Sequence, residues 1–327
     1  MPRLARRRLL AGSAALATFA SPPLARAQAP PWPTRPVRFL VPYSPGGGTD
    51  VLARAVAEAL RPVLPQPVVV ENRPGAQGAV GSEAVMRAEP DGHTLLVVTS
   101  THNLNKYQLQ HVPYDPLRDF APVALLTRQV LVLVAATNQP FADTRALLAH
   151  ARARPGEVGF GATEALTAFA GHEFNRRAGV RMEEVQYRGG SLLMNDIVAG
   201  HLPTGWTSTA SAMPHLATGR VRVLAVSTAE RTPLLPDVPT VQEGGVPGYE
   251  VAGWVCVLGP PALPRPLAER IHTAVARVYA DPALQERFRV LGLQADLRGP
   301  GQLAEFLKAD DAAWAAAAAA GQIVKVQ

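Results

Sequence analysis

Cysteine is almost missing: the 327 residues contain a single one, Cys256. One thiol forms no internal disulfide and builds no cysteine-based zinc site. Its place in the apolar run VAGWVCVLG reads as a buried, inert side chain. Long apolar runs are missing as well, since no stretch approaches the roughly 20 uninterrupted apolar residues that a membrane span needs. Catalytic signatures are absent too. There is no G-x-S-x-G, no H-E-x-x-H and no GxxxxGK[ST], and the eight histidines do not pair at metal-ligand spacing. These absences move the weight from catalysis to binding: no catalytic residue, no metal and no cofactor are expected.

Excess charge also disappears on inspection. The chain carries 32 Lys+Arg against 26 Asp+Glu, but its first residues, MPRLARRRLLAGSAALATFASPPLARA, have a basic start, a short apolar stretch from Leu9 to Ala20 and ARA ending at Ala27. That is the layout of a secretory signal peptide over residues 1–27. The RRRLL run also fits a twin-arginine signal. Removing its five arginines leaves 27 basic residues against 26 acidic ones, and the formal charge falls from +6 to +1. A near-neutral mature chain gives no reason to expect nucleic-acid binding.

What is present is apolar residue in quantity, 47% of the chain, ample for the core of two domains or one large one. VRFLVPY (37–43), PVVVEN (67–72) and HTLLVVTS (93–100) read as strands, with helices expected between them over 49–61 and up to Pro90. Strand, helix, strand, helix, strand is the pattern of a parallel sheet with crossover helices. A second alternating series begins with the strand VLVLVAATN (130–138) and runs to VRVLAVST (221–228). A loop rich in proline and glycine follows, then a returning apolar strand near 251–261 and a mostly helical C-terminal part. The expected fold is therefore α/β in two lobes, each a mainly parallel sheet flanked by helices. Residues 28–128 plus 254–327 form the first lobe and 129–253 the second. Two crossover strands, near Thr127–Val134 and Glu250–Leu258, act as the hinge of a cleft.

The most informative stretch is VPYSPGGGTD (41–50). A strand enters it and a helix leaves it. Its glycines free the backbone to turn and bare N–H groups, while Thr49 or Asp50 can cap the helix. A helix start favours small anions. The absence of a P-loop lysine argues against a nucleoside triphosphate, and a carboxylate fits better. A tight turn whose glycines serve packing alone is the alternative.

Taken together, VPYSPGGGTDVLAR, PVVVENRPGAQGAVG, EPDGHTLL, VPYDPLRDFAPVALL, RVRVLAVSTAERTPLLPDVPTVQEGGVPGYEVAGW and LAEFLKADDAAW resemble the substrate-binding proteins of tripartite tricarboxylate transporters, the TctC or Bug receptors. The matches span nearly the whole mature chain in the family order. The resemblance implies a periplasmic, type II-like binding protein and no enzymatic activity. It implies a small carboxylate as ligand, membrane transporter subunits or a sensor domain as partners, and a monomer. A two-lobed α/β enzyme acting on a small carboxylate, or a sensor without transport, are the alternatives.

The resemblance also implies the ligand site. One grip on the carboxylate is the glycine turn, with Tyr43, Ser44, Gly46, Gly47, Gly48, Thr49 and Asp50. TSTHN (99–103) adds donors, with Ser100, Thr101 and Asn103 named. The second grip falls at Gly161, Ala162 and Thr163, where this chain departs from the family pattern: it is shorter, and Glu164 replaces a usually neutral residue. Glu164 is expected on the solvated surface; turned inward, it would disfavour an acidic distal group or favour an amine. QYRGG places Tyr187, Arg188 and Gly189 at the border, with Arg188 either a guanidinium for the ligand or a lobe-surface charge. GWTSTAS brings Trp206 and Ser208, with Trp206 either a wall for an apolar ligand body or a core aromatic. His102 is expected to be structural.

Overall fold

The computed structural model describes residues 32–323 and residue 325; the segment expected to be a signal peptide lies outside the described residues. From residue 33 onward the chain opens as β1 (Val37–Val41), α1 (Gly48–Leu60), β2 (Val68–Asn72), a 3-10 turn at Ala76–Gly78, α2 (Ala79–Met86), β3 (Thr94–Thr99) and α3 (Thr101–Gln108). β1 pairs in parallel with both β2 and β3. All six residues of β3 are buried, which is why it reads as a continuous apolar run rather than an alternating one.

Next comes β4 (Ala121–Ala136), a single strand of 16 residues that begins ahead of the strand expected from Val130. The series continues with α4 (Thr144–Ala153), β5 (Gly159–Ala162), α5 (Ala165–Ala178), β6 (Glu183–Gln186), α6 (Gly190–Ala199), β7 (Thr204–Ser208), α7 (Thr209–Leu216) and β8 (Val221–Val226). It closes with β9 (Ala252–Gly259), α8 (Arg265–Tyr279), α9 (Pro282–Val290), β10 (Gln294–Arg298) and α10 (Pro300–Ala319). The described strands form one ten-stranded sheet in the order β2-β1-β3-β9-β4-β7-β5-β6, with β8 and β10 also on β4. Its outer pairs are parallel, and the pairs made by β4 and β9 near the middle are antiparallel.

β4 is the element that joins the two halves. Up to Val130 it pairs with β9, and from Leu131 it pairs with β7 and β8. Beside this change of partners the Val251 N–H donates to the Ser227 carbonyl (2.9 Å), and the Ser227 N–H donates to the Leu131 carbonyl (2.9 Å). The chain therefore passes between the halves at Val130–Leu131 and again at Val251–Ala252, inside both segments where crossovers are expected.

In the second half of the sheet, the two-residue period of β4 feeds two cores. Leu131, Leu133 and Ala135 pack with Phe160, Phe174, Trp206 and Tyr249 on one face. Val132, Val134 and Ala136 pack with Leu193, Met194 and Ile197 on the other. The first half has its own core of Leu40, Leu96, Val98, Leu125 and Trp254, closed by Leu303 and Leu307 of α10. Further along α10, Trp314 meets Phe169 of α5 edge-on at 5.0 Å, so this helix braces both halves.

Candidate functional site

β1 ends at Val41, just before Pro42, and the chain turns through Gly46, whose φ of +79° is a left-handed conformation that suits glycine. α1 begins at Gly48 with no capping side chain, so its first N–H groups lack partners within the helix. The sequence offered Thr49 or Asp50 as the cap, and neither takes that place. Asp50 instead folds back on the turn. Its carboxylate accepts from the Gly46 N–H (2.9 Å), from Arg54 Nε one helical turn on (3.0 Å) and from Asn72 Nδ2 (2.9 Å). Asn72 also donates to the Tyr43 carbonyl at 3.1 Å. Burial by itself would raise the Asp50 carboxyl, but the donors from Arg54, Gly46 and Asn72 outweigh it and hold the group below its ordinary range. Asp50 thus locks the shape of the glycine turn.

Opposite the turn stand the ends of β5, β6 and β7. Together the two sides enclose a cleft lined by Tyr43, Ser44, Gly47, Gly48, Thr49 and Asp50 on one side, with Thr163, Glu164, Arg188, Gly189 and Ser208 on the other. The halves touch across it. Ser44 Oγ donates to the Arg188 carbonyl (2.8 Å) and Ser191 Oγ to the Gly46 carbonyl (3.2 Å). Gly48 lies so close to β7 that a Cβ there would stand 2.5 Å from Ser208 Oγ. The space left inside is about 50 Å³, room for a few water molecules. An open groove of about 560 Å³ adjoins it and shares Tyr43, Ser44, Thr163 and Arg188.

Glu164 corrects the sequence expectation. It is not a solvated surface residue: its Oε2 accepts from Thr99 Oγ1 (2.9 Å) and Thr101 Oγ1 (3.1 Å), both from the facing half. Tyr43 joins the cluster through a 3.1 Å contact between its hydroxyl and Thr99 Oγ1. Burial raises the Glu164 carboxyl above its ordinary value against the two hydroxyl donors. Burial and the nearby Glu164 charge raise the Tyr43 phenol likewise.

Several candidates are placed elsewhere. Trp206 lies opposite Leu133 in register, so it shares that residue's face and enters the core. There it stacks on Tyr249 at 5.6 Å and is fully buried. Asn103 is turned away from the cleft by the first turn of α3 and donates to Asp310 Oδ2 at 2.9 Å. Gly161 and Ala162 still belong to β5; Gly161 faces Leu193 and Leu202, and Ala162 is core. The turn therefore starts only at Thr163. Gly46 sits behind the turn, with its N–H and carbonyl both bonded. Ser100 is fully buried. Tyr187 borders the outer groove, and its hydroxyl donates to Asp196 Oδ2 (2.6 Å); burial and that carboxylate push its phenol up to about 12. Thr101 reaches the site through Glu164.

His102 is structural. It stacks on Tyr114 at 4.6 Å, bonds Ser82 Oγ through Nδ1 (3.1 Å), and burial pushes it down to about 3. Five lining residues were not named as candidates from the sequence: Gln129, Thr167, Gly190, Thr207 and Ser211. Gly190, Thr207 and Ser211 fall inside the QYRGG and GWTSTAS stretches, and Gln129 ends the polar break TRQ in the middle of an apolar strand.

The sequence profile of the family described as "Tripartite tricarboxylate transporter family receptor" matches residues 52–319. A protein encoded in the tcbD-tcbE intergenic region of Pseudomonas sp. (strain P51) is 35% identical over 96% of this chain and 94% of its own. BugT of Bordetella pertussis is 31% identical over 87% of this chain and 88% of its own. Among solved structures, an R. palustris protein solved with adipate superposes with a TM-score of 0.87 at 30% identity, covering 90% of this chain and all of the other. MatC from Rhodopseudomonas palustris, solved with bound malate, gives 0.82 at 28% identity, over 88% of this chain and 100% of its own.

Proposed function

The chain belongs to the tripartite tricarboxylate transporter receptor family, and we propose that it is a periplasmic receptor that captures one small carboxylate in this cleft and delivers it to membrane transporter subunits. The described residues up to Val130 together with those from Ala252 act as one lobe and residues 131–251 as the other, hinged where the chain crosses between the halves of the sheet inside β4 and just before β9. One observation carries the reading. The uncapped start of α1 and Arg188 line a single cleft from opposite sides, and a helix start and a guanidinium both attract anions. The adipate and malate named for two structural relatives support the same ligand class.

The cross-cleft hydrogen bonds describe a closed form with little free space, so the ligand enters an open one. Closing then selects the bound state through contacts that both lobes make only when shut. Tyr43, Ser44, Gly47, Gly48, Thr49, Thr163, Arg188, Gly189 and Ser208 make those contacts.

A thermal-shift panel of mono-, di- and tricarboxylates, aromatic acids and amino acids tests this. A ligand at about 100 times its Kd stabilises the fold by roughly 2.7 kcal/mol, which raises Tm visibly. If no carboxylate raises Tm, the ligand class is wrong. Conversion of a hit into product by the purified protein overturns the receptor reading.

A further inference from the structure

Glu164 places a carboxylate inside a cleft whose other features attract one. The hydroxyls of Thr99 and Thr101, which a second carboxylate of the ligand would use at this end, already donate to Glu164 Oε2 at 2.9 and 3.1 Å. The inner end thus presents an acid whose two hydroxyl donors are already engaged with it. The outer end is the reverse. Arg188 is exposed, lines both the cleft and the groove beside it, and has no side-chain partner among the described residues. The cleft is therefore polarised, positive at its mouth and acidic within.

We infer that the ligand is a short monocarboxylate whose opposite end carries an N–H donor, an ammonium or a primary amide, and that Glu164 is the residue that sets this preference. The inference rests on the receptor reading above. The ligand carboxylate lies at the Arg188 and α1 end, and its nitrogen donates to Glu164. A dicarboxylate of the same length brings its second charge against Glu164, whose two hydroxyl donors are already engaged. Juxtaposing like charges in this way is heavily penalised.

The test is calorimetric titration with matched pairs: succinate and succinamate, glutarate and 4-aminobutyrate, isophthalate and its monoamide. Wild-type protein is compared with Glu164→Gln, in which an amide oxygen still accepts from the two threonines. In the wild type the nitrogen-bearing member of the pair that binds is favoured about tenfold or more. In Glu164→Gln that ratio collapses toward one or inverts, with the thermal melt showing the variant folded. Tighter binding of the dicarboxylate by the wild type, or an unchanged ratio in the folded variant, overturns the inference and leaves the receptor reading standing. Absence of binding by every carboxylate overturns both.

Discussion

Two acids, one on each side of the cleft, follow a strand and open a helix, and they behave in opposite ways. Asp50 in α1 is held by a backbone N–H, an amide and the Arg54 guanidinium, and sits below its ordinary pKa. Glu164, ahead of α5, has two hydroxyls as its hydrogen-bond donors, with no cation among them, and sits above its ordinary value because it is buried. The difference shows that an acidic residue beside a ligand cleft has no fixed meaning. Asp50 is neutralised by its partners and becomes a structural brace, which leaves the cleft on that side to backbone N–H groups. Glu164 keeps its acceptor character and presents it to whatever enters.

The largest expected effect breaks the backbone side of this comparison. A side chain at Gly48 collides with Ser208 across the cleft, so Gly48→Val holds the lobes apart. Affinity for any ligand found by the panel falls by about 100-fold or more, near 2.7 kcal/mol, while the melt of the ligand-free protein stays close to wild type. Gly47→Ala is the contrast, because a Cβ there meets only the Ser44 carbonyl at an ordinary 3.7 Å. A similar loss in both variants, measured by titration, removes the argument from lobe closure.

A third buried acid extends the comparison. Asp310 of α10 accepts from Trp254 Nε1 (2.9 Å), Asn103 Nδ2 (2.9 Å) and Trp314 Nε1 (3.1 Å). Burial nevertheless pushes it up to about 6, against these donors. Its folded pKa lies above its unfolded value of 3.8, so between about pH 4 and 6 the folded state binds more protons than the unfolded one. Stability from this group is therefore highest below that window and declines as pH rises through it, by about 3 kcal/mol in all. Asp310→Asn removes that decline, whatever it does to stability at any single pH. Chemical denaturation of both proteins at pH 4, 5, 6 and 7 reads the difference, and parallel pH profiles reject it.

These three acids also mark how far the sequence can be read. The alternation of strands and helices, the glycine turn and both crossings were legible, because hydrophobic period, proline and glycine act locally. α3 was not, because its buried face carries His102, Asn103 and Asn105, and a polar buried face leaves no hydropathy pattern. β10 stayed hidden for a similar reason, as five half-polar residues at a sheet margin. Trp206 shows the limit of period two: its face is set by pairing with Leu133, and one step of register decides between core and cleft. The orientation of Glu164 depends on two threonines more than 60 residues earlier in the chain, a distance across which composition and spacing carry no information.

The remaining two predictions act on stability and set the acids directly against each other. Asp50→Ala leaves the Gly46 N–H and Asn72 without their acceptor and frees Arg54. Since Arg54 is half exposed, most of the loss comes from the two uncharged donors, and the fold is weakened by about 2 kcal/mol. Glu164→Gln is expected to change stability by about 1 kcal/mol or less, in the stabilising direction. It removes a buried charge that no cation offsets and keeps an oxygen for Thr99 and Thr101. Urea denaturation of the ligand-free protein measures both. Equal destabilisation by the two variants would mean that Glu164, like Asp50, is a brace, and its place in the cleft would then say nothing about the ligand. A loss confined to Asp50→Ala separates the acid that builds the site from the acid that reads what enters it.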